Sequence, residues 1–311
     1  MIRKLMKKPE IGVITSLIIV FALFGVMSKG AFLSIGVLKT VFAVSVELGI
    51  VAIGVTHVLV AAEIDLSVGS VYGFSALMFA KMYKMLSPGL AAIVVLVLGM
   101  GIGFANGYIR VKTRVPSLIV TLGSMMTLRG IIYFVTGGFT QSVKASFFTK
   151  ILGSDILDPL WLILVAFIFT VVLTRTPFGN RLLATGGNIE TARTLGVKVD
   201  KIRVIAFMIS STLASLAGLI SISRLRVASA THGELMELEA IAAAVMGGTL
   251  LTGGYGSVVG STMGAILIAS LRSGLLLSGA PSYWYVAFLG IILVVASIIN
   301  LTVVRKLMSS S

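Results

Sequence analysis

Between residues 41 and 73 the chain reads VFAVSVELGIVAIGVTHVLVAAEIDLSVGSVYG. Residues 41–62 are almost wholly apolar, and a helix needs about 20 such residues to cross a hydrocarbon core. A polar break follows at AAEIDLSVGS, and a second apolar run covers 66–82. Irregular backbone at membrane depth is tolerated only where protein or a watery cavity surrounds it. The stretch therefore reads as two membrane helices with a break between them that is itself buried or wetted.

The same pattern recurs along the chain. Of its 311 residues 57% are hydrophobic and 12% charged, with a mean hydropathy of +1.09. Soluble domains average about 45–50% apolar and about 25% charged. Apolar runs fall at about 11–28, 41–62, 66–82, 89–109, 117–136, 159–174, 204–223, 238–251, 257–275 and 283–303. The expected fold is an all-α polytopic membrane protein of about ten transmembrane helices, one domain over residues 1–311. The eighth and ninth runs are short and joined by TGGYGS, so they read as two spans, a re-entrant pair or broken helices. The start of the chain resembles a signal peptide, but its apolar run is long and no small-residue cleavage pattern follows before Lys29. It is read as a retained first helix.

The net charge is +14, but the basic residues lie in short clusters between apolar runs, as helix orientation requires. That distribution argues against nucleic acid as a partner and for a lipid bilayer. Arg3, Lys4, Lys7 and Lys8 precede the first run. Arg110, Lys112 and Arg114 follow the fourth, and Arg175, Arg181, Arg193, Lys198, Lys201 and Arg203 the sixth. Arg305 and Lys306 follow the last. An even number of runs separates each cluster from the next, so all share one face, expected to be cytoplasmic together with both termini. The opposite loop, 137–158, is nearly balanced, with Lys144, Lys150, Asp155 and Asp158. With no cysteine, disulfides and thiol chemistry are excluded.

The largest polar stretch, 175–203, contains GGNIETARTLG over residues 186–196. Asn188 suits an N-cap, with Glu190 and Thr191 in the first turn. Ile189, Ala192 and Leu195 fall on one face, and Gly196 can take the left-handed conformation that ends a helix. A helix of about two turns follows, too short to hold in water unless its apolar face is covered. Asp200 is expected to cap the next span. The segment reads either as a capped connector or as a docking helix.

Four places put ionisable groups within or beside apolar runs: Glu47, His57, the Glu63–Asp65 break and Arg129. Such groups usually face the protein interior, as the lining of a polar path or as structural pairs. An Arg129–carboxylate pair and a backbone-bonded His57 are the structural alternatives. The 34 glycines mainly permit close helix contact. No phosphate-binding Gly-x-x-x-x-Gly-Lys-Ser/Thr occurs, and no residue set is spaced for enzymatic chemistry.

Four ordered motifs resemble the ribose-type sugar permeases, membrane subunits of bacterial ATP-driven (ABC) importers. EIDLSVGSVYG is similar to a G-I-D-L-S-V-G-S segment of that family, and VPSLIVTLGSMMTLRG to its V-P-x-x-I-x-T-L and L-R-G pattern. TPFGNRLLATGGNIETARTLGV resembles its cytoplasmic loop, and ELEAIAAAVMGGTLLTGGYGSVVGSTMGA a further segment. Branched-chain amino-acid permeases are more distant relatives. The resemblance implies a cobalamin-importer-like fold in the inner membrane, a dimer with a second permease, and an extracytoplasmic sugar-binding protein. It also implies a cytoplasmic ATP-binding subunit that holds the ATP and magnesium; no cofactor is expected in this chain. Gly187, Asn188, Ile189, Glu190, Ala192, Leu195 and Gly196 would then form the coupling helix. Glu47, His57, Glu63, Asp65 and Arg129 are the candidates for the path or its gate. Glu63 stands where the family usually has glycine, and His57 where an aliphatic or aromatic residue is usual. The alternative reading is a proton-coupled secondary transporter using the buried carboxylates or His57. A passive channel would need a filter-like ring, which the sequence lacks.

Overall fold

The computed structural model describes residues 9–154 and 157–308, and only the backbone of 9–11, 282 and 299–308. The basic cluster of Arg3, Lys4, Lys7 and Lys8, the loop carboxylate Asp155, and the side chains of Arg305 and Lys306 lie outside this description.

The described chain is helical nearly throughout. In order come α1 (Pro9–Met27), α2 (Ile35–Val60), α3 (Val68–Met82), α4 (Pro88–Thr113) and α5 (Ser117–Thr136). A two-residue strand β1 (Gln141–Ser142) and the short α6 (Phe147–Leu152) lead to α7 (Asp158–Arg175). Next are α8 (Pro177–Gly187), α9 (Ile189–Thr194), α10 (Val199–Leu225) and β2 (Val227–Ala228), which pairs antiparallel with β1. Last are α11 (Met236–Met246), α12 (Val258–Leu277) and α13 (Ser282–Met308).

Each of the ten apolar runs forms a helix, and among the described residues six helices are long and apolar enough to cross a membrane. The lengths differ from the sequence expectation where glycine or polar caps intervene. The run at 238–251 forms only α11, eleven residues or about 16 Å. Gly247 and the left-handed Gly248 stop it, so it cannot span the bilayer by itself. The run at 204–223 extends to 27 residues as α10, beginning inside the basic loop.

Burial sorts the helices. The most apolar window of α2 is 89% buried, against 17% for α5 and 22% for α7. The second helix is therefore a central post, while α5 and α7 present apolar side chains such as Ile119, Ile163 and Phe167 outward. On α4, Gly99, Gly103 and Gly107 lie one turn apart against α10. A methyl group on them would strike Ser215, the Phe207 backbone and Val204 respectively. Small residues at this spacing let two helix backbones approach closely.

The break after α2 leaves no ladder for its backbone, so neighbouring side chains supply the bonds. The Ile64 N–H donates to Ser117 Oγ (3.0 Å) and the Leu66 N–H to Thr121 Oγ1 (3.1 Å), both on α5. Asp65 Oδ1 accepts from the Ser67 N–H and hydroxyl at 3.0 and 2.6 Å, and Oδ2 from Ser210 Oγ of α10 at 2.9 Å. Asn106 of α4 donates to Ser67 Oγ (3.0 Å). A segment buried among three helices thus has its polar groups met by protein, as a bilayer interior demands.

Candidate functional site

Two polar systems stand at opposite ends of the helical bundle. At the first end the Glu63 carboxylate joins two arginines from the expected cytoplasmic clusters. Arg110, near the end of α4, donates to Oε2 at 3.0 Å. Arg203, at the start of α10, lies 3.0 Å from Oε1 as an ion pair without hydrogen-bond alignment. The second and third basic clusters therefore share one end of the molecule, as the parity of the runs requires.

The 175–203 stretch is folded at this same end. Thr176 caps α8 by accepting from the Gly179 N–H (3.3 Å), with Pro177 at the first helical position. This eleven-residue helix lies in a stretch that the sequence reading takes as loop around a single short helix. Asn188 then caps α9, its Oδ1 accepting from the Thr191 N–H at 3.0 Å. Gly196 turns the chain with φ of +79°, as expected. Two expectations change. The stripe of Ile189, Ala192 and Leu195 is divided, with Ala192 buried, Ile189 half-buried and Leu195 75% exposed. The chain turns back at Gly196, where the Val197 N–H bonds the Ala192 carbonyl (3.0 Å), pulling Ala192 inward and leaving Leu195 at the tip. Asp200 does not cap α10, because that helix already begins at Val199. It forms instead an exposed pair with Arg193 at 3.4 Å.

Behind α8 three backbones meet. Gly254, in the TGGYGS turn, donates its N–H to the Val60 carbonyl at the end of α2 (3.0 Å). Gly186 lies against the same carbonyl, and Gly187 against Gly254, with no room for a side chain at Gly186 or Gly254. On the other side Gly253 touches Ala62, which holds a left-handed φ of 57° at the entry to the Glu63–Asp65 break.

The second polar system lies toward the other end. Glu47 Oε1 accepts from Arg224 Nη2 at 2.6 Å and Nε at 3.2 Å, and its Oε2 from the Tyr72 hydroxyl at 2.7 Å. Arg224 also faces Asp158 at 3.7 Å. The Tyr72 ring stacks on His232, with centroids 4.9 Å apart and planes 16° off parallel. His232 bonds Ser221 Oγ through Nε2 (3.1 Å). Among the described residues Arg129 forms no ion pair with a carboxylate. Its Nη1 donates to the carbonyls of His232 (2.9 Å) and Ala230 (3.5 Å), tying down the 226–235 segment. His57 is fully buried, with Nδ1 on the Ile53 carbonyl (2.8 Å) and its ring edge-on to Phe169. A third cluster joins Glu239, Tyr285 (2.7 Å) and Arg272 (3.5 Å).

The five path candidates therefore do not converge. Glu63 and Asp65 lie along one break, Glu47 and Arg129 on a separate network, and His57 inside the core. Sequence reasoning missed Tyr72, Arg224 and His232. Arg224 follows directly on an apolar run and reads there as a loop charge. Among the described residues no cluster of His, Asp or Glu is placed to hold a metal ion.

Long apolar helices, buried arginine–carboxylate pairs and a bonded break between helices define a polytopic membrane protein. The chain matches the family described as the branched-chain amino acid transport system permease component over residues 37–297, and it belongs to that family. The autoinducer 2 import system permease protein LsrC of Photorhabdus laumondii is 33% identical over 92% of this chain and 88% of its own length. The protein of that name from Escherichia coli is 31% identical over 94% and 87%. That from Yersinia enterocolitica is 35% identical over 73% of this chain, the match covering 64% of the relative. No solved structure matches. The chain is thus an importer permease subunit of the ABC class, not an enzyme, and a multi-pass protein of the inner membrane.

Proposed function

We propose that this chain forms the translocation path of an ATP-driven importer for a small, hydroxyl-rich solute of the sugar type. A cytoplasmic ATPase would drive it, receiving α9 with Leu195 at its tip and supplying ATP and magnesium. A solute-binding protein would deliver from the other side, and a second permease copy or paralogue would complete the path. Both termini would be cytoplasmic, and ten helices would make up the bundle in a cobalamin-importer-like arrangement. The import of autoinducer 2 named for the relatives, together with the ribose-type motifs, supports a sugar-like cargo over an amino acid.

The observation that carries the reading is the three-glycine junction. It gives α8 a close backbone contact with the end of α2, and the same glycine turn touches Ala62 at the entry to the break that holds Asp65. A mere connector would have no reason to pack its backbone on the end of the central helix. The ion pairs of Glu47 and Glu63 and the three hydrogen bonds to Asp65 also favour this reading over proton coupling, which needs carboxylates free to exchange protons. Affinity purification of the tagged chain co-expressed with an ATP-binding subunit of the same importer class tests the proposal. A stable complex is expected, and purification of the permease with no ATPase under conditions that preserve such complexes would refute it.

A further inference from the structure

The short helix α6 is fixed to the bundle on one side and turned outward on the other. Ser146 Oγ accepts from the Thr149 N–H (3.2 Å) and Thr149 Oγ1 from the Ser146 N–H (2.9 Å), which closes its first turn. Phe148 packs against Phe79, with ring centroids 6.4 Å apart, and Thr149 and Leu152 are buried. Gly153 lies against the backbone of Ser223 and Arg224 with no room for a side chain. The Trp161 indole N–H donates to the Ile151 carbonyl (3.1 Å), joining α6 to the first turn of α7. Phe147, Lys150 and Ile151 remain on the outward face of α6.

Between α6 and α7 lies a groove of about 190 Å³ lined by Ile151, Leu157, Leu160, Trp161 and Leu164. The one polar side-chain atom among them, Trp161 Nε1, is already bonded. Pockets for small solutes run from about 300 Å³ upward and carry a few convergent polar groups, so this groove does not fit a sugar. Its place in the fold says what does. Arg175 closes α7, and α8 follows onto the Val60 carbonyl, so α7 runs toward the basic end. The groove, on the first two turns of α7, is therefore at the opposite end of a helix about 27 Å long. Leu160 and Leu164 continue into the outward stripe of Ile163, Phe167, Ile168 and Val171. That stripe belongs to a membrane-length helix whose apolar window is only 22% buried, so it faces lipid. The groove is an inlet of this lipid-facing surface, with Lys150 next to Ile151 on the same outward face. Among the described residues of the 137–158 loop the exposed charges are Lys144 and Lys150, both basic, whereas Asp158 is 1% exposed.

We infer that the α6–α7 groove is a binding site for an anionic phospholipid, with one acyl chain lying in the groove and the headgroup phosphate meeting Lys150. Lipid tails are as apolar as leucine, so filling the groove gains packing contacts and does not by itself choose among lipids. The choice falls to the lysine, whose ammonium favours a headgroup of net negative charge. Phe147 on the same face suits the boundary between headgroups and acyl chains. The inference rests on the membrane-spanning fold and goes beyond the transport reading.

Trp161 reports on the groove directly, because Trp284 is the only other tryptophan of the chain. The full chain carrying Trp284→Phe is reconstituted in vesicles of phosphatidylcholine and phosphatidylglycerol in equal parts, with bromines on the acyl chains of one lipid or the other. Both are expected to quench Trp161 fluorescence, with phosphatidylglycerol preferred by about fivefold, the factor that one lysine supplies near an anionic surface. Lys150→Gln should bring that ratio near one, and Lys150→Arg should keep it. Phe167→Trp, combined with Trp161→Phe and Trp284→Phe, is the lipid-facing control outside the groove and should show a ratio near one. Where Trp284→Phe does not accumulate, the difference in quenching between the parent and Trp161→Phe gives the same quantity. Quenching of Trp161 by neither lipid means that protein covers the groove, and it overturns the site. Equal quenching by both lipids, or a preference that Phe167→Trp shares or Lys150→Gln retains, overturns the headgroup contact at Lys150. No ATP, ATPase or solute takes part, so failure of the importer proposal would leave the outcome unchanged.

Discussion

Gly186 lies against the Val60 carbonyl so closely that no Cβ fits between them, while the same carbonyl accepts the Gly254 N–H at 3.0 Å. Through this contact the polar loop helices touch the end of the central helix without an intervening side chain. A contact between backbones passes on a displacement that a flexible side chain would absorb.

Gly186→Ala is therefore expected to separate coupling from assembly. A methyl group forced into a packed site costs about 1–3 kcal/mol. Solute uptake should fall by about tenfold or more, which is the rate equivalent of about 1.4 kcal/mol, while the variant still purifies with its ATPase. Measuring both in the same preparation checks the claim, and normal uptake would show that the junction does not transmit movement.

Leu195 is the exposed tip of the loop, whereas Ala192 is buried at 1%. Leu195→Asp and Glu190→Arg should weaken ATPase capture and leave the melting temperature of the purified permease near that of the parent. Ala192→Asp, which buries a charge, should lower the melting temperature itself. Equal capture by the Leu195 and Glu190 variants would remove the docking role.

Glu63 is 3% exposed between two arginines, while the Arg193–Asp200 pair is about 60% exposed on both sides. Removing one partner of a buried charge group costs about 3–5 kcal/mol; an exposed pair is worth about 0–1 kcal/mol. Glu63→Gln should lower the melting temperature markedly, and Asp200→Asn hardly at all. Comparing the two thermal unfolding curves in detergent decides the matter.

Arg129 holds the 229–235 segment by two charged hydrogen bonds. Hydrogen bonds to a charged group are worth about 1.5–3 kcal/mol. Arg129→Met should accelerate amide hydrogen exchange across residues 229–235 by about tenfold or more, since about 1.4 kcal/mol corresponds to a factor of ten. Exchange should stay unchanged in α2. Uniform acceleration would mean that Arg129 supports the whole bundle instead of this segment.

The helices were legible in sequence because a bilayer sets their length, and apolar runs of that length leave little choice. Elements that obey other rules were harder to read. The helix α8 begins with Thr176-Pro177, a cap and first-position signal hidden within positive charge. The run at 238–251 is apolar beyond its helix because Gly247 and Gly248 end α11 without lowering hydropathy. Asn188 and Gly196 were legible as a cap and a terminator because both act within a few residues. The partners of Glu47 and Glu63 were not, since Arg224 and Arg203 lie far along the chain, and only the packing of α10 against α2 and α4 brings them near. Ala192 and Leu195 share a helical face in projection. Only the turn at Gly196 decides which of them the protein covers.

The central claim is that ATP hydrolysis in a partner drives solute through this chain. It is tested most directly by uptake into proteoliposomes that hold the permease and its ATPase, with the solute-binding protein outside. Uptake is predicted only when ATP is enclosed, and a proton gradient without ATP should give none. Accumulation driven by the proton gradient alone would contradict the account.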